Sequence, residues 1–228
     1  EGLNNARTVN LSAGLAPVAV DSDLFDLLLF CKEWYAKTGG KTNVAMGSVL
    51  KIWHDYREQA LADPEAAALP PEDLRREAAA HTDIDNLVVD RIAGTVFLED
   101  PMMSLDLGAV AKGYATELVA KEMEAKGLIS AVISSGGNVR TIGKPLDGVR
   151  ERWGTGIQDP AQSIFSDDEN LLDVVFVNDS SVVSSGDYQR YYIVDDILVH
   201  HIIDPETLMP ANYHHSVTVV TPDSGFAD

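Results

Sequence analysis

Between residues 22 and 37, Leu24, Leu27, Leu28, Cys31, Trp34 and Tyr35 recur at helical spacing, so they share one face of an amphipathic helix. Asp21 or Ser22 can cap its start and Thr38-Gly39-Gly40 can end it. A second stripe of Val49, Ile52, Trp53 and Tyr56 predicts a helix from about Ser48 into the 50s. Prolines and alanines over 61–71 read as a loop, and Pro71 suits the first turn of a short helix over 72–80. Asn86–Asp90 and Thr95–Leu98 read as two strands of a hairpin around Gly94. The strongest helix pattern runs from Gly108 to Lys126, with Ala111, Tyr114, Ala115, Leu118 and Val119 on its apolar face and Gly127 as its stop. Beyond a buried-type strand at Ile129–Ser134, the chain alternates short apolar runs with turns. Strands are predicted near 155–158, 172–178, 181–184, 190–194, 197–203 and 215–221.

This order predicts an α+β fold, with a helix-rich N-terminal half and a mostly antiparallel, β-rich C-terminal half, organised as one domain over 1–228. Regular βαβ alternation is missing, which argues against a dinucleotide-binding Rossmann domain.

Composition changes the picture in three places. The net charge of −19 repels phosphate backbones and anionic lipid headgroups, so neither nucleic acid nor a membrane surface is an expected partner of this acidic face. The one cysteine, Cys31, rules out an intrachain disulfide and lies on the apolar stripe of the first helix, where it reads as core. No apolar run reaches the roughly 20 residues of a membrane span, and no signal-peptide pattern is visible. The ends, Glu1-Gly-Leu-Asn and Phe-Ala-Asp228, read as those of a trimmed or processed product.

Several segments carry candidate chemistry. At 106–113, Asp-Leu-Gly-Ala-Val-Ala-Lys-Gly places an acid at a helix start, small residues in the first turn and Lys112 one turn in. Free N–H groups and the helix dipole favour an anion there, and an ammonium can reach a phosphate. From spacing alone, Asp106 as an N-cap and Lys112 as a solvated helix residue explain the pattern equally well. Ser134-Ser-Gly-Gly-Asn138 and Ser184-Ser-Gly-Asp-Tyr188 are small-residue turns at strand ends, without a hydrolase nucleophile elbow. In His200-His201-Ile-Ile-Asp204-Pro205, adjacent strand residues face opposite ways, so one histidine is expected to face a cleft and the other core or solvent. His214-His215 obeys the same rule and receives no role. Gly225 predicts a tight turn before a helix starting near Asp228, an acid that can cap that helix or bind a hard cation.

Taken in order, Asp-Leu-Gly-Ala-x-Ala-Lys-Gly-Tyr-Ala at 106–115, Ser-Gly-Gly-Asn at 135–138, Gly-Ile-Gln-Asp-Pro at 156–160, Ser-Ser-Gly-Asp-Tyr at 184–188, His-Ile-Ile-Asp-Pro at 201–205 and Ser-Val-Thr-Val at 216–219 resemble the ApbE family, the FAD:protein FMN transferases. The resemblance implies binding of FAD and a divalent cation, usually Mg²⁺, and transfer of FMN to a Ser/Thr hydroxyl of an acceptor flavoprotein with release of AMP. Some relatives instead hydrolyse FAD to FMN and AMP, or only bind it. By position, the resemblance assigns FAD contacts to Thr42, Asn43, Asp106, Lys112, Ser185, Gly186 and Ile202. It assigns metal ligation to the Ala109 carbonyl and Asp228; the acceptor hydroxyl would need a base, for which His201 and a carboxylate near the metal are the two candidates. It implies an extracytoplasmic protein anchored at the membrane, as a lipoprotein or through an N-terminal helix. Two departures are Leu208, where the family has Gly, and Ser184, where Thr is common; the family's early Met-Gly motif and the metal ligands beyond Asp228 lie outside the matched positions.

Overall fold

A computed structural model describes residues 3–161 and 171–228. In chain order its elements are α1 (Ala6–Leu11), β1 (Val18–Ala19), α2 (Ser22–Lys37), α3 (Gly47–Ala62), α4 (Glu72–Ala79), β2 (Leu87–Asp90) and β3 (Thr95–Leu98). There follow α5 (Ala111–Ala125), β4 (Ala131–Ser135), β5 (Asn138–Ile142), β6 (Trp153–Gln158), β7 (Leu171–Val177), β8 (Ser181–Gly186), β9 (Tyr191–Val194), β10 (Ile197–His200), β11 (Ser216–Thr221) and α6 (Ser224–Ala227). The expected α+β class is observed. The chain forms two compact units, Glu1–Ala109 with Arg190–Ala211, and Val110–Gln189 with Asn212–Asp228.

The first unit holds α1 to α4, an antiparallel sheet of order β1-β3-β2 and the β9–β10 hairpin. Helix α2 follows its sequence pattern. Asp21 accepts the Leu24 N–H at 2.9 Å, and the chain leaves the helix through Gly39 and Gly40 at φ 61° and 85°. Its apolar stripe buries Leu27, Leu28 and Cys31, and burial pushes the Cys31 thiol up to about 12, so the cysteine is core and not a nucleophile. Met46, Val49, Trp53 and Ala60 of the α3 region pack with Tyr192 of β9 and Val199 of β10. That packing ties the discontinuous 190–211 segment to the helices of its own unit.

The second unit is a four-stranded antiparallel sheet of order β11-β8-β5-β4, accompanied by α5, α6 and the β6–β7 hairpin. Strand β5 goes beyond the sequence reading, which took 134–138 as a turn. The chain reverses through Gly136 at φ 61° and returns as a strand that pairs with both β4 and β8.

Three readings of this unit are corrected. Helix α5 starts at Ala111, not Gly108, and its N-cap position, Val110, supplies no side-chain cap. Asp106 instead closes a local turn, its carboxylate accepting the Gly108 N–H at 2.7 Å. The buried face of α5 is not the apolar stripe: Gly113, Thr116, Glu117 and Ala120 are buried, while Leu118 and Val119 are 37% and 46% exposed. A charge can be buried there because Glu117 meets Arg140 of β5 at 3.0 Å. Finally, α6 precedes Asp228. Asp223 caps it, accepting the N–H groups of Gly225 and Phe226, and Asp228 stands at its C-terminal end.

Candidate functional site

Thr42, Asn43, Asp106, Ala109, His201 and Ile202 belong to the first unit, and Lys112, Ser185, Gly186 and Asp228 to the second.

In the first unit, the stretch after α2 lies against the segment ending at Asp106. The Asp106 N–H donates to Val44 O at 2.8 Å, the Gly47 N–H donates to Ser104 O at 2.9 Å, and Met46 and Ser104 form a parallel bridge. A Cβ at position 47 would stand 2.4 Å from Ser104 O, so only glycine permits this approach. Asn10 grips the neighbouring Leu105 at both its N–H and its carbonyl. The fold uses the polar groups of the candidate residues. Asn43 donates to Thr82 O and accepts the Ala45 N–H, both at 2.9 Å, while the Thr42 N–H donates to the Thr38 hydroxyl at 3.1 Å. Asp106 and Ala109 are exposed. Val44, Met46 and Gly47 thus hold the stretch that carries Thr42 and Asn43 against the segment ending at Asp106. Nearby in sequence, and missed by motif reading, His81 Nδ1 lies 2.7 Å from Asp100. Partial burial opposes the Asp100 charge, but His81 and the Met102 N–H outweigh it and hold the carboxyl below its usual value.

The histidine pair behaves as strand alternation predicts: His200 is 3% exposed and His201 is exposed. The Arg190 carbonyl accepts the His201 N–H at 3.2 Å, and His201 Nδ1 lies 3.2 Å from the same oxygen. Desolvation of the ring, aided by the charge of Arg190 and opposed by that hydrogen bond, holds the His201 pKa below its ordinary 6.5. The imidazole is therefore mainly neutral near pH 7, the state a base requires. Ile202 is 38% exposed, and its carbonyl accepts the Ala211 N–H. Asp204, 4% exposed, accepts the Glu206 N–H at 2.8 Å and pairs with Lys41 at 3.2 Å, so it organises the turn. That turn carries Leu208 at φ 58°, in the left-handed region where the resemblance expects glycine.

In the second unit, the Asp228 carboxylate meets the first turn of α5. Its Oδ2 accepts the Gly113 N–H at 2.8 Å, its Oδ1 lies 3.9 Å from Lys112 Nζ, and the side chain is 7% exposed. Gly113 makes room for this. A Cβ there would stand 2.4 Å from Asp228 Cβ and from Ser224 O, and 2.9 Å from Asn138 Nδ2. Asn138 is fully buried, and among the described residues neither atom of its amide has a hydrogen-bond partner. Ser185 and Gly186 end β8 opposite Val217 and Ser216 of β11. A Cβ at 186 would collide with the Tyr188 ring and approach His215 O at 3.0 Å. Asp187 holds His215 Nδ1 at 2.8 Å, a pairing that the adjacency argument gave no means of finding.

Among the described residues no group of three or more His, Cys, Asp or Glu side chains could cage a metal ion. Magnesium, however, commonly takes only one or two protein carboxylates and completes its shell with water and substrate phosphate oxygens. The sheltered Asp228 carboxylate, with one oxygen on Gly113 N–H and the other towards an ammonium, fits the role of one such ligand.

The chain is 35% identical to the FAD:protein FMN transferase of Treponema pallidum (strain Nichols), over 96% of this chain and 61% of that protein. It is 34% identical to a FAD:protein FMN transferase of Klebsiella pneumoniae (strain 342), over 95% of this chain and 63% of that one. The chain therefore spans about three fifths of the length of these curated relatives. The crystal structure of the ApbE protein of Thermotoga maritima superposes with a TM-score of 0.82 at 28% identity, over 97% of this chain and 67% of that one. The flavin transferase ApbE of Vibrio cholerae gives 0.75 at 26% identity, over 96% and 65%. The sequence matches the ApbE family over residues 4–228, and the chain belongs to that family.

Proposed function

We propose that this chain transfers FMN from FAD to a Ser or Thr hydroxyl of an acceptor flavoprotein. The hydroxyl oxygen forms a bond to the phosphorus of the FMN half, the pyrophosphate bridge to that phosphorus breaks, and AMP leaves with the bridging oxygen. The observation that carries the reading is the meeting of Lys112, the Gly113 N–H and Asp228 at the start of α5. Lys112 offers an ammonium to a phosphate oxygen and Asp228 offers a carboxylate to a divalent cation, a pairing suited to a pyrophosphate bound together with a metal ion. Relatives sharing up to 35% of the sequence carry the name of this activity.

In this reading Lys112 binds a phosphate oxygen, and Asp228 helps hold Mg²⁺, which supplies charge neutralisation to the pyrophosphate. Within the second unit, the family resemblance adds Ser185 and Gly186 as flavin contacts. For the first unit, the resemblance by itself assigns flavin contacts to Thr42, Asn43, Asp106 and Ile202 and a metal-ligating carbonyl to Ala109, and His201, its pKa held below the ordinary value, is the candidate base. The proposal also places the protein outside the cytoplasm, held at the membrane. None of the described helices is long and apolar enough to cross one, so they do not supply the anchor.

The test is incubation with FAD, Mg²⁺ and an acceptor bearing a Thr-containing target segment. The acceptor should gain the mass of one FMN group, with one AMP released per transfer, and omission of Mg²⁺ should abolish the gain. AMP and free FMN at equal rates with and without acceptor would replace transfer by hydrolysis. Intact FAD recovered from the complex would reduce the function to binding.

A further inference from the structure

The first turn of α5 has no cap of its own, yet its Gly113 N–H is satisfied by a carboxylate 115 residues further along the chain. The placement of that carboxylate depends on α6, a helix of four residues. Such a helix has little stability of its own, so something else must fix it. Glu117 does so. Its Oε2 accepts the Ser224 N–H at 2.9 Å, and the same oxygen accepts Arg140 Nε at 3.0 Å. Its Oε1 lies 3.5 Å from Lys121, whose ammonium also donates to Asp223 at 3.0 Å. Glu117 and Arg140 are 4% and 6% exposed, so their charges depend on each other. Glu117 and Gly113 lie one turn apart on the same helix, and Glu117 and Asp223 both hold the first residues of α6.

We propose that Glu117 is a positioning residue: by anchoring the start of α6 through the Ser224 N–H, it sets the Asp228 carboxylate against the first turn of α5. The proposal rests on the reading of Lys112 and Asp228 as part of the transfer site. It adds that the acid of that site is held through the buried Arg140–Glu117 pair rather than by its own helix. The pair is invisible to a search for ligands because both side chains are buried. Its effect is exerted through two backbone N–H groups, those of Ser224 and Gly113.

Amide hydrogen exchange of the ligand-free chain, read residue by residue by NMR, tests this without FAD or metal. Glu117→Ala would strand Arg140 in the interior, so the informative variant is the double replacement Glu117→Leu with Arg140→Met, which exchanges the buried pair for apolar side chains. Protection at Gly113 should fall about fivefold or more, the loss of a capping contact, while the amides of β8 keep theirs. Glu117→Gln combined with Arg140→Met retains an oxygen able to accept the Ser224 N–H without leaving a buried unpaired charge, and should keep Gly113 protection within about twofold. Unchanged Gly113 protection in the double variant overturns the proposal. So does an equal loss at Gly113 and throughout β8, which would make the pair a general support of the unit. The exchange pattern is independent of FMN transfer: failure of the transfer assay with the pattern intact sinks the functional reading alone, and the converse sinks only the role of Glu117.

Discussion

The two units present their candidate residues in opposite ways. In the first, the stretch around Asn43 and the segment ending at Asp106 are bound to each other by backbone hydrogen bonds, and the Asn43 side chain is occupied at both ends by Ala45 and Thr82. What this cluster can offer a ligand is mostly shape and the exposed Asp106. In the second, the candidates that meet at the start of α5 are charges. The Lys112 ammonium stands 3.9 Å from Asp228, beyond hydrogen-bond reach, and the carboxylate itself has one N–H donor. One cluster is a frame in which function and stability are inseparable. The other holds electrostatic capacity in reserve, and a ligand carrying phosphate and a cation can use it.

This contrast predicts where mutation hurts activity and where it hurts folding. The largest effect should come from Asp228→Ala, which removes the carboxylate from the start of α5. Transfer should fall about 10²-fold or more, on the scale of losing one preorganised electrostatic group, with a small drop in thermal stability from the uncapped Gly113 N–H. A rate within threefold of the parent would remove Asp228 from the site. Lys112→Met should come next. One charge-assisted contact to phosphate is worth about 1.5–3 kcal/mol, so the KM for FAD should rise about tenfold or more while the melting temperature stays near that of the parent. An unchanged KM would return Lys112 to the status of a solvated helix residue.

Asn43→Ala tests the other side of the comparison. It leaves the Ala45 N–H and the Thr82 carbonyl without their partner, at a cost of about 1–3 kcal/mol, so the midpoint of denaturant unfolding should fall measurably. If the variant unfolds with the parent and instead loses FAD affinity, Asn43 is a ligand contact first, and the division between frame and charge does not hold.

The same contrast explains what could be read from the sequence. Helix α2, the hairpin at Gly94 and most later strands were legible because each depends on local periodicity and turn chemistry, as with Asp21, Gly39 and Gly40. The start of α5 was not, because its cap is Asp228 and lies at the far end of the chain. Nor was its buried face. Hydropathy selects Leu118 and Val119, whereas the fold buries Glu117, a choice that makes sense only once Arg140 is beside it. Motif order singled out Lys112 and Asp228 but said nothing of the Glu117–Arg140 and Asp187–His215 pairs, whose partners are set by tertiary packing. Leu208 shows the reverse case: a position marked by the family's glycine takes the left-handed backbone even with a leucine there.

The smallest predicted effect concerns His201, the one candidate of the first unit whose role is titration. Desolvation holds its folded pKa below the ordinary 6.5, with Arg190, His200 and Arg57 adding repulsion. Between the folded and ordinary values, the unfolded chain binds the extra proton. Stability from this group is therefore complete above about pH 6.5 and declines as pH falls through the folded pKa. His201→Gln should remove that slope: the melting temperatures of parent and variant should run parallel above pH 7, and the parent alone should lose the additional increment as pH falls below about 6.5. The residue as a whole is exposed, so the increment should be small. Identical slopes in parent and variant would mean that the imidazole titrates alike in both states, leaving its neutrality at pH 7 without a structural cause and weakening its case as the base.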